Sequence, residues 1–172
     1  DGDHAGAIEM MTQAARSADP KETETQSWCL VQMGDEYWKY GEFAKAEKVY
    51  DEALSVLPGY FLELASKGRV LAAKGDLIGA EKLLVDSQNR HPAADAIINL
   101  GHVYALRGDA ERAKQQYDLV EVVEQKLGMA GDQKKLALFW ADRDIKLAEA
   151  LAIAENEFAM RKDIYTADVL AW

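Results

Sequence analysis

The sequence predicts an all-α solenoid of antiparallel helix pairs, and three observations support this prediction. A local pattern recurs around Gly41, Gly75 and Gly108, which lie 34 and 33 residues apart. Pro58 and Pro92 each follow a central glycine by seventeen residues and would end a helix. The chain of 172 residues holds only 3 Pro and 12 Gly, and its apolar residues recur at helical spacing. Self-similarity at this period is typical of stacked helical hairpins.

The residues around each central glycine predict how two helices of a unit pack. A second glycine lies seven residues before the central one, a large residue four before, an alanine five after and a large residue nine after. In chain order these positions hold Gly34, Tyr37, Ala46 and Tyr50, then Gly68, Leu71, Ala80 and Leu84, then Gly101, Tyr104, Ala113 and Tyr117. The small residues would let two helices approach closely, and the large residues would fill the space between them.

The units are predicted in chain order as one repeat domain over residues 1–172. Residues 1–20 form a partial unit with one helix, which Pro20 ends. Complete units span about 27–60, 61–93 and 94–127, and the central glycine of each separates its two helices. In the first unit the helices run from about 24 to 40 and from 42 to 57. The third unit lacks a closing proline, so its second helix is predicted to continue from Ala110 to Leu127.

The C-terminal part of the chain follows the pattern less closely. Residues 131–163 form a degenerate unit after an irregular connector at 128–132, and residues 142–144 replace the glycine turn. The second helix of this unit has a predicted apolar stripe of Leu147, Ala150, Leu151, Ala154 and Phe158. A further unit starts at 164–172 and presents an apolar end at Val169, Leu170 and Trp172. Because a solenoid needs a polar cap, we expect more chain or a neighbouring molecule to cover this end.

The chain resembles the tetratricopeptide repeat family, most clearly in its first complete unit. There the signature positions hold Leu30, Met33, Gly34, Tyr37, Gly41, Ala46, Tyr50, Ala53 and Pro58. The resemblance implies a right-handed superhelix that begins and ends inside repeats, and a non-catalytic scaffold that binds proteins. Family members that grip the C-terminal carboxylates of chaperones use a clamp of Lys, Asn and Arg. Val31, Asp35, Ser66, Asp95 and Asn99 stand at those places, so that mode is not expected here.

The first helices of the units are expected to line a concave groove. Their core stripe would face the partner helix, and the opposite stripe would face the groove. The candidate groove residues are Trp28, Gln32, Asp35, Trp38, Leu62, Arg69, Ile98, Asn99 and His102. Aromatic residues and arginine often dominate binding energy, although Trp28 and Trp38 could instead pack on the preceding partial unit.

Composition narrows the classes of function. The 20 Lys and Arg against 30 Asp and Glu give a net charge of −10, which argues against nucleic acid and against insertion into an anionic membrane. The lone Cys29 lies in an apolar helical stretch and is expected to be a small buried hydrophobe. A lone cysteine suits a reducing compartment, so a cytoplasmic location is expected. The three histidines lack metal-ligand spacing, and no phosphate-binding loop or activated nucleophile is visible, so no metal, cofactor or catalysis is predicted.

Two functions remain open at the level of the sequence. The leading hypothesis is a scaffold that holds a peptide or protein segment in the groove. The alternative is self-assembly, or secretion-type chaperoning, through the terminal repeat surfaces around Val169, Leu170 and Trp172.

Overall fold

The computed structural model describes residues 3–127 and 133–172, and over these residues the chain forms α-helices joined by short turns and contains no strand. The predicted connector at 128–132 lies outside the described residues. The helices are α1 (His4–Ser17), α2 (Thr23–Lys39), α3 (Phe43–Val56), α4 (Phe61–Ala73), α5 (Leu77–Arg90), α6 (Ala94–Leu106), α7 (Ala110–Leu127), α8 (Lys134–Asp142), α9 (Leu147–Arg161) and α10 (Ile164–Ala171). The predicted all-α repeat solenoid is confirmed, whereas the unit boundaries remain a prediction.

The helices pack as successive hairpins. Helix α2 packs on α3, α4 on α5, α6 on α7 and α8 on α9. The first helices of the pairs also contact one another, α2 on α4 and α4 on α6. This second set of contacts makes α2, α4 and α6 an inner layer, with α3, α5 and α7 packed on its outside.

The turn within each hairpin depends on a residue with left-handed backbone geometry. Gly41, Gly75 and Gly108 have φ of +73°, +87° and +78°. In each turn the following amide donates to a carbonyl five residues earlier, as Glu42 N does to Tyr37 O at 2.9 Å. In the fourth hairpin Asp144 takes this conformation with φ of +56°, and Ile145 N donates to Trp140 O at 3.0 Å. Aspartate is one of the few residues other than glycine that tolerates it.

Close packing inside each hairpin explains the small residues of the repeat. A Cβ atom added to Gly34 would overlap the ring of Tyr50, and one added to Gly101 would overlap the ring of Tyr117. A Cβ on Gly68 would lie 2.8 Å from Leu84 Cγ. In the fourth hairpin the buried Ala137 lies seven residues before Asp144 and replaces this glycine.

The core runs continuously through the stack of hairpins. Four clusters of buried side chains overlap along the stack and join α1 with α2 and α3, α2 with α3 and α4, α4 with α5 to α7, and α6 with α7 to α10. Cys29 is buried in the first of these clusters, as expected, and burial raises the pKa of its thiol.

The predicted apolar stripe of α9 is wrong at two positions. Ala150 and Ala154 are buried, but Leu147 and Leu151 are 51% and 50% exposed. Glu157 is buried instead, and its Oε1 accepts a hydrogen bond at 3.1 Å from Gln133 N at the start of α8. The left-handed residue Lys146 precedes α9 and adds one residue between the turn and the helix, which rotates the buried face.

Candidate functional site: a groove across the inner helices

A cavity of about 340 Å³ crosses the inner layer of helices. Six of the nine candidate groove residues line it, and they come from three helices: Trp28, Gln32 and Asp35 of α2, Leu62 and Arg69 of α4, and Asn99 of α6. The small residues Ala65, Ser66, Ala93 and Ala96 also line the cavity and leave it open. These six predicted residues therefore share one cavity, and their role in binding remains a prediction.

Asp35 is the centre of a hydrogen-bond network at one side of the groove. Its Oδ1 accepts from Tyr50 Oη at 2.7 Å, from Arg69 Nη2 at 2.7 Å and from Ser66 Oγ at 3.3 Å. Burial, and then the charge of Asp35, raise the pKa of Tyr50, so its hydroxyl stays protonated and donates. The network ties α2, α3 and α4 together and holds the Asp35 carboxylate in place.

Trp38 supports this network from outside the cavity. The Arg69 guanidinium carbon lies 4.5 Å from the centroid of the Trp38 ring, and the Phe43 ring lies 4.8 Å away. Trp28 differs, because it lines the cavity and is 43% exposed. Of the two tryptophans, Trp28 is therefore the one available to a bound guest.

Ile98 and His102 do not line this cavity. Ile98 packs against the cluster around Phe139 and Trp140, which belongs to α8. The His102 ring lies 5.8 Å from the Tyr117 ring. Desolvation of the ring, and then the positive charge of Arg143, lower the pKa of His102, so the neutral form of the ring is favoured.

The far wall of the groove includes a residue that the sequence pattern did not identify. Lys135 of α8 lines the cavity, and its Nζ donates to Asp95 Oδ2 at 2.5 Å. It lies in the degenerate fourth unit, where the repeat gave no reliable alignment with the earlier units.

Helices α2 and α10, far apart in the chain, come within side-chain reach of each other. Lys39 at the end of α2 places its Nζ 5.6 Å from the centroid of the Tyr165 ring in α10. The solenoid is therefore strongly curved towards its inner side.

The three predicted assembly residues differ in how deeply they are buried. Val169 is buried against the α8–α9 cluster, and Leu170 is partly buried there. Trp172 is 75% exposed, and its Nε1 donates to Asp142 Oδ1 at 2.8 Å. All three line a cavity of about 260 Å³ with Leu147 and Leu151, and every residue that lines it is apolar.

No metal or membrane site is found in the described part of the chain. Residues 3–127 and 133–172 contain no group of three or more His, Cys, Asp or Glu side chains arranged to hold a metal ion. None of the helices within those ranges is both long enough and apolar enough to cross a bilayer.

Comparisons with known proteins agree with this geometry. The tetratricopeptide repeat model matches residues 29–58. The APC/C hetero-tetramer Cut9-Hcn1 is 20% identical with a TM-score of 0.62, over 99% of this chain and 33% of that chain. A thermophilic TPR protein of Thermus thermophilus is 20% identical with a TM-score of 0.62, over 99% and 92%. MamA is 20% identical with a TM-score of 0.56, over 94% and 90%. No curated protein matches the sequence.

The helix pairs, their left-handed turns and the inner groove define a helical-repeat solenoid of the kind that generally serves as a scaffold for other proteins. One tetratricopeptide repeat is matched at 29–58, and solved structures of tetratricopeptide-repeat proteins share this fold over nearly the whole chain.

Proposed function

We propose that the protein is a non-catalytic scaffold that holds a peptide or protein segment in the groove across α2, α4 and α6. The observation that carries the proposal is a pair of side-chain amides, Gln32 and Asn99, which line the cavity and make no hydrogen bond to the described residues. Each amide offers a donor and an acceptor, as a peptide backbone requires. Trp28 supplies an exposed aromatic surface beside them.

The electrostatics of the groove favour a guest with little net charge along this section. Asp35 is paired with Arg69, and Asp95 with Lys135, so each charge at the wall has an opposite partner. Binding would depend on the free amides and on apolar contact, rather than on one dominant ion pair.

The groove assignment is tested with the double variant Gln32→Ala and Asn99→Ala. Each lost hydrogen bond should cost about 1 kcal/mol, so affinity for the native partner should fall about tenfold or more. The control removes two exposed amides outside the groove, Asn89→Ala and Gln125→Ala. Partners are captured from native extract with wild-type protein, and their affinities are measured with each purified variant. Equal affinity of both doubles, with helicity unchanged, would contradict the proposal.

A second candidate function is self-assembly, and the all-apolar cavity beside Leu147, Leu151 and Trp172 favours it. We propose a second copy of the chain as the occupant. Sedimentation at several concentrations should show association that Leu151→Ser removes and Ala152→Ser, at the next residue, retains. A strict monomer at every concentration would contradict this candidate. A secretion-type chaperone that uses the same end is the remaining alternative.

The single buried cysteine supports the cytoplasm as the proposed compartment.

A further inference from the structure

A second cavity lies outside the groove, between the third and fourth hairpins. It has a volume of about 530 Å³, within the range of ligand sites. Its wall is mostly apolar and aromatic, formed by Ala105, Ala113, Tyr117, Phe139, Trp140 and Ile145. Phe139 and Trp140 are buried, so they form a fixed floor.

The mouth of this cavity differs from the two preceding junctions by the identity of one charged residue. One residue before the turn glycine of the second and of the third hairpin, a cation reaches back to the outer helix of the preceding hairpin. Lys74 Nζ lies 2.7 Å from Glu47 Oε2, and Arg107 pairs with Glu81. Both glutamates stand six residues after the turn glycine of their own hairpin.

At the third junction the cation remains and the glutamate is missing. Arg143 stands one residue before Asp144, in the place of Lys74 and Arg107. The position six residues after Gly108 holds Lys114. Arg143 and Lys114 therefore line the same cavity as two cations, and within residues 3–127 and 133–172 Arg143 has no ion pair or hydrogen-bond acceptor. Its guanidinium carbon lies 3.7 Å from the centroid of the Tyr117 ring, which leaves its N–H edges available.

The other charges at the cavity are already compensated. Lys114 Nζ lies 2.5 Å from Asp118 Oδ2, and Lys146 Nζ lies 2.6 Å from Glu121 Oε2. The Lys114–Asp118 pair joins two exposed side chains, so it holds Lys114 only weakly. Among the charged side chains that line this cavity, Arg143 is the one without an ion-pair partner in the described residues.

We propose that this junction binds the C-terminal residue of a polypeptide that ends in a large apolar side chain. The side chain would fill the space above Phe139 and Trp140. The terminal carboxylate would lie between Arg143 and Lys114, where Glu47 and Glu81 supply a carboxylate at the earlier junctions. A C-terminal residue carries both features within a few ångströms. The site is separate from the groove and does not depend on the function proposed for it.

The test uses the indole N–H signals of the four tryptophans in NMR spectra of the full chain. The probe is acetyl-Gly-Gly-Phe with a free carboxylate, and its C-terminal amide is the matched neutral peptide. The free acid should shift the Trp140 signal saturably and leave the Trp28 signal in place. It should bind about tenfold more tightly than the amide, because a hydrogen bond to a charged group is worth about 1.5–3 kcal/mol. Acetyl-Gly-Gly-Ala should bind more weakly still.

Two variants test whether Arg143 and Lys114 recognise the terminal carboxylate. Arg143→Gln removes the cation, and Lys114→Glu supplies the missing internal carboxylate. Each should reduce binding of the acid to the level of the amide. Lys82→Glu makes the same charge change on the outer face of α5 and should preserve the tenfold preference. The proposal is overturned if the acid leaves Trp140 unshifted, if it shifts Trp28 instead, or if the preference survives in both Arg143→Gln and Lys114→Glu.

Discussion

Glu63 is the residue that fits its surroundings least well. Its side chain is fully buried, and neither carboxylate oxygen has a hydrogen-bond partner in the described part of the chain. It stands twelve residues before a turn glycine, where the other complete units have the buried residues Cys29 and Ala96. Burial raises the pKa of Glu63 from its ordinary 4.5 to about 8; the Lys67 charge opposes the rise, and Asp51 adds to it.

This pKa makes stability depend on pH in a defined direction. The unfolded state loses the Glu63 proton near pH 4.5, whereas the folded state keeps it until about pH 8. Stability is therefore highest below the unfolded pKa and falls as pH rises through that window, by up to about 1.4 kcal/mol per pH unit. Glu63→Gln should remove this loss, so its stability advantage over wild type should grow from about pH 5 to about pH 9. Urea denaturation of both proteins at several pH values measures this difference in stability. A difference that does not change with pH would contradict the raised pKa of Glu63.

Small residues allow the two helices of each hairpin to pack closely. Ala46 and Ala80 are fully buried between the two helices of their hairpins, and Gly34 meets the Tyr50 ring. The spacing between the helices leaves no volume for a larger side chain at these positions. Because successive hairpins share a continuous core, a local loss of packing should also destabilise the neighbouring units.

Ala46→Leu should destabilise the protein by about 1–3 kcal/mol, because the added methyl groups overpack the contact between α2 and α3. Ala44→Leu is the matched control, since Ala44 lies two residues earlier on the same helix and is exposed. Thermal denaturation should show a lower midpoint for the first variant and little change for the second. Equal midpoints for wild type and Ala46→Leu would mean that Ala46 does not lie between helices.

How far the sequence predicts the structure depends on how well each element keeps the repeat. Gly41, Gly75 and Gly108 have the predicted turn geometry, and five predicted residues of α2 and α4 line one cavity. The fourth hairpin turns at Asp144, 36 residues after Gly108, so the earlier spacing could not be transferred to it.

That longer spacing also explains the errors near the C-terminal end. The spacing gave no basis for predicting that Lys135 reaches the groove or that Ile98 packs against α8. Glu63 was missed because a carboxylate at a core position has no local sequence signal. The exchange of glutamate for Lys114 was visible in the sequence, but its meaning required knowing that Arg143 lines the same cavity.

At the scale of the whole molecule, the curvature of the solenoid determines what the groove can hold. The proximity of Lys39 in α2 and Tyr165 in α10 means that the stack curves until these two helices nearly meet. An exposed cation–π contact contributes only about 0.5–1 kcal/mol, so the side-chain contact reports the curvature rather than causing it.

The curvature can be tested by cross-linking in a Cys29→Ala background. The pair Lys39→Cys and Tyr165→Cys should be joined within one molecule by a short bismaleimide. The pair Lys82→Cys and Tyr165→Cys places one cysteine on the outer face of α5 and should not be joined. Cross-linking of both pairs at similar rates, or of neither, would contradict the curved arrangement.

The central claim is that a protein segment binds in the groove, and photo-cross-linking tests it most directly. A photoreactive amino acid is placed at Ser66 in the groove or at Lys48 on the outer helix α3. In native extract the Ser66 position should form a discrete adduct with another protein, and Gln32→Ala with Asn99→Ala should reduce it strongly. Adducts that form only from Lys48, or a Ser66 adduct that the double variant leaves unchanged, would contradict the claim.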